Sequence, residues 1–211
     1  MSGRIRRADA EVRKTEILET TVRVVLERGF GNTRVADVAA ALGVSTGLIH
    51  YHFSSKDELL AEALRFAADA DIARVGKVLA EGSNALERLD RALRDYVPGG
   101  TGEEVWVLWI DAWGQALRDP ALREISEELD QAWVTLFERI IVDGVAENRF
   151  TCTDPGSVAW RLAALLDGLA LHVTVHRRSM SRDQMLEHAR TSVCLELGLP
   201  RSALPAGEGT T

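Results

Sequence analysis

Cysteine is scarce in this sequence: 211 residues hold only Cys152 and Cys194, far apart and without a CxxC spacing. That scarcity excludes a disulfide scaffold and a cysteine-rich zinc module, and it suits a reducing, cytoplasmic compartment. Long apolar runs are missing as well. The most apolar stretch, Leu162 to Val175, is broken by Asp167 and is too short to span a bilayer. The basic opening, Met1 to Arg7, is not followed by the apolar segment of a signal peptide, so a soluble protein with no membrane partner is expected. No run alternates apolar and polar residues as a half-buried strand does. Internal repeats and long low-complexity segments are absent. The loop Pro98-Gly99-Gly100-Thr101-Gly102 lacks the GK[ST] of a phosphate loop, and no nucleophile elbow occurs. A net charge of −7 argues against a protein that coats nucleic acid indiscriminately.

What is present is helical punctuation. A hydrophobic content of 46% supports a sizeable core. Ile17, Leu18, Thr21, Val22, Val24 and Val25 follow a helical period that Gly29 stops. Val35, Val38, Ala39 and Leu42 mark a short second helix, with Thr33 as its expected cap and Gly43 as its end. Ser45 opens a third, about Thr46 to His52. Ser55 with Glu58 forms a capping box for a fourth, from about Lys56 to Ala80. Further starts are read at Asn84 with Glu87, Thr101 with Glu104, Asp119-Pro120, Asp154-Pro155 and Ser181 with Gln184, and Gly198 with Pro200 closes the last helix. The expected fold is all-α with about nine helices. Charge is divided unevenly along it: residues 1–60 hold nine Lys/Arg against eight acids, a net of +1, and the remainder is −8.

The stretch "VSTGLIHYHFSSKDEL", residues 44–59, crowds hydroxyls, two histidines, a tyrosine and a lysine into one short segment. Two short helices joined by Leu42-Gly43-Val44 fit a helix-turn-helix. Ala39 is small where the helices approach, and Gly43 accepts the left-handed turn. Leu48 and Ile49 give the second helix a buried side, leaving Ser45, Thr46, His50, Tyr51 and His52 outside. A helix of this size fits the major groove, and Lys56 opens the next helix as a natural phosphate contact. Two other uses of the cluster fail. His50 and His52 project about 200° apart on a helix, so they cannot share a metal without a third element. No acid is placed to orient either histidine for catalysis.

Residues 13–60, through "ILETTVRVVLERGFGNTRVADVAAALGVSTGLIHYHFSSKDELL", resemble the amino-terminal domain of TetR-family transcriptional regulators, with "GLIHYHFSSKDEL" the most specific part. The resemblance implies a three-helix DNA-binding head whose base and phosphate contacts come from Thr33, Ser45, Thr46, Gly47, His50, Tyr51, His52 and Lys56. It also implies that Phe53 packs inward.

In the remainder, "WVLWIDAWGQALRDPALR", "GVAENRFTCTDP" and "LLDGLALH" are similar to the carboxy-terminal domain of BetI-type repressors, a group whose members respond to choline or to other ligands. Trp106, Trp109 and Trp113 form one helical stripe, either core or the wall of a pocket for an organic cation or an aromatic molecule. Phe137, Ile141, Leu165, Leu169 and His172 are candidates for the facing walls. His172 and His176 share a helix face, but no third ligand stands at metal spacing. The helix over 157–175 is apolar nearly all round, so a homodimer through helices around 157–175 and 181–197 is expected, with Ala163 and Leu166 on the subunit-facing side.

The expected organisation is a basic flexible arm (1–12), a helix-turn-helix domain (13–60), a ligand-binding and dimerisation body (61–198) and a flexible tail (199–211). The expected function is a repressor that binds a palindromic double-stranded DNA operator as a dimer and is released by a small-molecule effector, with no cofactor or metal. An all-α enzyme, or a regulator that activates, is the alternative.

Overall fold

The computed structural model describes residues 2–81, 84–98, 101–176 and 179–204, with side chains described for all of these except 2–9 and 101–103. Gly99 and Gly100 of the expected loop, and the tail from Pro205 onward, lie outside the described residues, as do the side chains of Arg4, Arg6 and Arg7.

Among the described residues the chain forms nine α-helices: α1 (Ser2–Arg28), α2 (Val35–Leu42), α3 (Thr46–His52), α4 (Lys56–Ala80), α5 (Ala85–Tyr96), α6 (Thr101–Ala116), α7 (Pro120–Ala146), α8 (Pro155–Thr174) and α9 (Arg182–Glu196). A short 3-10 turn, Arg201–Ala203, follows. Residues 2–12, expected as an arm, are written in helix at the start of α1. The expected caps act locally. Ser45 Oγ accepts from Leu48 N at 3.3 Å, Asn84 Oδ1 from Glu87 N at 3.1 Å, Asp154 Oδ1 from Ser157 N at 3.1 Å and Ser181 Oγ from Gln184 N at 3.2 Å. Asp119 Oδ1 accepts from Ala121 N at 2.9 Å, with Pro120 at the first helical position. At α4, Ser55 Oγ accepts from Glu58 N, while the Glu58 carboxylate turns to the Ser54 backbone N and hydroxyl instead of closing the box on Ser55.

Thr33 is a correction. It does not cap α2; it is 1% exposed, and its hydroxyl donates to Gly29 O at 2.8 Å. Arg34 holds the cap position, its N–H bonded to Asp37 Oδ2 at 3.0 Å. An acceptor was already on hand for the Thr33 hydroxyl in the turn before it, so the side chain points inward.

The chain divides into two compact units: residues 1–70 with 107–127, and residues 71–106 with 128–211. The first therefore takes in part of α6 as well as the expected head. Its core joins Ile17, Leu18 and Val24 of α1, Val38 and Ala39 of α2, Ile49 of α3, Phe53, and Leu59 and Ala63 of α4. Gly43 adopts φ 73°, and its N–H reaches back to Ala40 O at 3.2 Å, so α2 ends where α3 must turn away.

In the second unit α8 packs along α9, and α5 packs on α9. Leu89, Leu93, Phe137, Ile140, Ile141, Leu166, Met185 and Ala189 are buried there. Ala163 and Leu166, expected to face a second subunit, are buried within the chain itself at 1% and 0% exposure. Arg190, nearly buried, donates to Asp90 Oδ1 at 2.7 Å, and Asp90 also accepts from Arg94 at 2.7 Å, tying α5 to α9. Among the described residues no helix is long and apolar enough to cross a membrane.

Candidate functional site

The first candidate surface is α3. Ser45, Thr46, Gly47, His50 and Tyr51 are exposed, and Tyr51 is 80% accessible although its ring is large. Ile49 and Phe53 bury the opposite side, so the hydrogen-bonding groups are held outward by an apolar anchor behind them. His52 and Lys56 are half-buried. The Tyr51 and His52 rings meet edge-on at 5.1 Å, and Lys56 Nζ lies 3.4 Å from Gly31 O. Of the eight side chains or backbones assigned to DNA, seven are at least partly accessible on this surface, and Thr33 is not.

Gly29, at φ 80°, ends α1. The next N–H, that of Phe30, donates to Asp111 Oδ2 of α6 at 2.7 Å. An acid eighty-one positions away thus caps the turn that precedes α2, which no local spacing announces.

The second candidate is an aromatic cluster with two acids, in the second unit. Tyr96, the last residue of α5, stands edge-on to Trp133 of α7 with ring centroids 4.6 Å apart, and its ring is 5.5 Å from Trp106 and 6.0 Å from Phe137. The Trp106 indole N–H donates to Tyr96 O at 3.0 Å. The Tyr96 hydroxyl donates to Asp167 Oδ1 of α8 at 2.6 Å. Burial first, with the Asp130 charge adding, pushes the Asp167 carboxyl up to about 6, although the Tyr96 hydrogen bond pulls the other way. Burial likewise raises the Asp130 carboxyl, and it raises the Tyr96 phenol further. Among the described residues neither acid has a cationic partner.

Among the described residues one cation reaches these rings. The Arg74 guanidinium of α4 lies over the Trp133 ring at 5.6 Å from its centroid. It donates to Asp95 O at 2.9 Å and to Asp71 Oδ1 at 3.1 Å. Aromatic faces, two desolvated carboxylates and the carbonyl end of α5 all attract positive charge.

The expected pocket residues divide. Trp106 and Phe137 belong to this cluster. Trp109 is buried and Trp113 half-buried in the first unit, so the tryptophan stripe is shared between two compact units. Ile141 and Leu165 instead line a groove of about 220 Å³ against α9, beside an ion pair of Arg161 with Glu196 at 2.7 Å. Leu169 is half-buried on α8. His172 is exposed, its Nδ1 3.5 Å from Ser179 Oγ and its ring 5.2 Å from that of His176. Tyr96, Trp133, Asp130 and Arg74 were not anticipated; the Trp133-Phe137 spacing of four was the one local signal. Among the described residues no group of three or more metal-ligating side chains gathers.

The outward side of α8 carries Trp160, Ala164 and Gly168, spaced as one stripe that Val175 continues just past the helix, with Trp160 50% exposed. On α9, Leu195 is 75% exposed.

Known proteins align with both candidate surfaces. Residues 17–63 match the family described as bacterial regulatory proteins, tetR family, and residues 85–198 match the BetI-type transcriptional repressor, C-terminal. A transcriptional regulator of Saccharomonospora viridis, solved in complex with choline, superposes with a TM-score of 0.83 at 31% identity, covering 89% of this chain and 98% of that one. The regulator PksA of Bacillus subtilis is 28% identical over 208 residues, covering 89% of this chain and 93% of its own. The regulator BetI of Burkholderia thailandensis is 27% identical over 166 residues, covering 76% and 81%. The BetI-type match alone spans more than half of the sequence: the chain belongs to the TetR family of transcriptional regulators and carries a BetI-type carboxy-terminal domain.

Proposed function

We propose that this regulator is a homodimeric repressor that holds a palindromic operator through α3 and releases it when an organic cation binds the aromatic cluster. The observation that carries the effector class is the pairing of Asp130 and Asp167, raised by burial and without a cation of their own, with the rings of Tyr96, Trp106, Trp133 and Phe137. Leaving two acids partly desolvated beside aromatic faces is unfavourable for the empty protein. A quaternary ammonium supplies the missing charge and an apolar surface together. The choline carried by the Saccharomonospora regulator supports this chemistry.

For the DNA side, Thr46 and His50 read base edges, while Tyr51 and Lys56 contact phosphate, with Ser45 and Gly47 bringing the start of α3 against the backbone. His52 completes the contact surface. Dimerisation uses the outward stripe of α8 with Leu195 of α9, and it sets the spacing of the two reading helices to the half-sites. A cytoplasmic location follows from this role.

A gel shift with the protein's own upstream region, titrated with choline, tests the reading. A retarded band that choline dissolves is expected. No retardation at low salt refutes the operator; a band indifferent to choline, with no heat of choline binding in calorimetry, refutes the effector class.

A further inference from the structure

The aromatic cluster already contains a cation of the chain's own. Arg74 is held over Trp133 by two hydrogen bonds, one to Asp71 on the same helix and one to Asp95 O at the carbonyl end of α5. The same α5 end is bonded on its other side, at Tyr96 O, by the Trp106 indole, and the Tyr96 and Phe137 rings pack on Trp133 at 4.6 and 5.9 Å. Ring area on Trp133 is therefore shared among two aromatic neighbours and one guanidinium. A second cation seeking Trp133 meets Arg74 there.

We infer that Arg74 is a built-in competitor for the effector, displaced from Trp133 when the organic cation binds. This rests on the reading of the cluster as the effector's site, and it adds how occupancy is reported. Displacement breaks the ring contact with α7 and the hydrogen bond to α5, while the bond to Asp71 stays within α4. The exchange thus removes the Arg74 ties of α4 to both neighbours. α4 is one uninterrupted helix from Lys56, directly after the reading helix, to Ala80. A ligand shifts an equilibrium only through contacts that differ between two states, and the Arg74 contacts are such a difference. Exchange of one cation for another also predicts selectivity: an uncharged ligand of equal size has no advantage over the guanidinium it must remove.

The test uses the full chain with Arg74→Gln and Arg74→Lys, choline and tetramethylammonium as probes, calorimetry for binding and a gel shift for the operator. If Arg74 competes, Arg74→Gln binds both probes several-fold to about tenfold more tightly, the range of a cation–π contact. Its operator affinity without choline falls, and the ratio of operator affinities with and without choline moves toward one. Arg74→Lys keeps the charge but loses the planar fork that stacks and bonds Asp95 O, so it follows Arg74→Gln. Tighter binding by Arg74→Gln but unchanged binding by Arg74→Lys reduces the effect to charge repulsion and overturns the inference.

Equal affinities in all three proteins also overturn it and leave the organic-cation site standing. Binding by Arg74→Gln alone, with none by wild type, supports it. Binding by none of the three removes the organic-cation reading and this inference together. Because loss of a ring contact also lowers stability, the melting temperature without ligand is measured alongside. A misfolded Arg74→Gln leaves Arg74→Lys to decide.

Discussion

Replacing Asp167 with asparagine should stabilise the empty protein at neutral pH while impairing its response. The Asp167 carboxyl has its pKa raised by burial from the usual 3.8 to about 6. An acid whose folded pKa is raised keeps its proton in the native state at pH values where the unfolded chain has lost it. Stability is therefore fully present below about pH 4 and falls as the pH rises from 4 to 6. A shift of about two units corresponds to a ceiling of about 3 kcal/mol at neutral pH. Partial solvent access and the loss of a charge-assisted bond from Tyr96 reduce the net gain to about 1–2 kcal/mol. Urea unfolding of wild type and Asp167→Asn at pH 4 and pH 7.5, at fixed protein concentration, measures it. The variant should match wild type at pH 4, exceed it at pH 7.5 and bind choline about tenfold more weakly. Choline binding to wild type should show the opposite pH dependence to stability, tightening as the pH rises through about 6, because the ionised carboxylate is what attracts the cation. A variant less stable than wild type at pH 7.5, or a difference that does not change with pH, would refute the reasoning.

Three further outcomes are expected. Tyr51→Phe combined with Lys56→Ala should weaken operator and non-operator DNA alike and flatten the salt dependence of binding, whereas His50→Ala should change base preference; gel shifts across salt and operator variants check both. Asp90→Ala strands the buried Arg190 guanidinium, whose Nε already has no partner among the described residues; a loss of about 3–5 kcal/mol in urea unfolding is expected, and a loss under about 1 kcal/mol would show that the pair is dispensable. Gly168→Arg adds a side chain where a Cβ meets nothing within 4 Å, so the protomer should keep its helicity while light scattering shows a monomer; an intact dimer would move the interface off α8.

Local features were legible in the sequence because their partners are near in the chain. Ser45, Asn84, Asp154 and Ser181 each bond an N–H three residues on, and Gly43 needs only its own backbone freedom. The outward face of α3 followed from the same logic, since Ile49 and Phe53 had to be inside. Thr33 was misplaced because the N–H groups of α2 ahead of it and the Gly29 carbonyl behind it both offered its hydroxyl a partner, and the bond to Gly29 O prevailed. The tryptophan stripe was read correctly as a helix face, but a face says nothing about which unit it meets. α6 belongs to both units, so Trp106 joins Tyr96 while Trp109 is buried in the other. Likewise Ala163 and Leu166 were sent outward because α8 looked apolar all round, when the small residues Ala164 and Gly168 mark its accessible side. The aromatic cluster draws Arg74 from α4, Tyr96 from α5, Trp106 from α6, Asp130, Trp133 and Phe137 from α7, and Asp167 from α8. No spacing in a single sequence encodes such a meeting, and Asp167 registered only as an interruption of an apolar run.

The treatment of charge separates structure from function in the second unit. Arg190 and Arg94 converge on Asp90, and Arg88 reaches Asp143 at 3.0 Å and Glu147 at 3.4 Å. In these places a guanidinium faces carboxylate, as burial of charge requires. At the aromatic cluster the pairing is incomplete. Arg74 lies on a ring and bonds Asp95 O and the Asp71 carboxylate, while among the described residues Asp130 and Asp167 stand without a cation. On the proposed reading, the uncompensated acids hold their electrostatic attraction in reserve for a charge that arrives from outside. On that reading, the charge missing beside Asp130 and Asp167 is the feature by which the empty protein is prepared to bind.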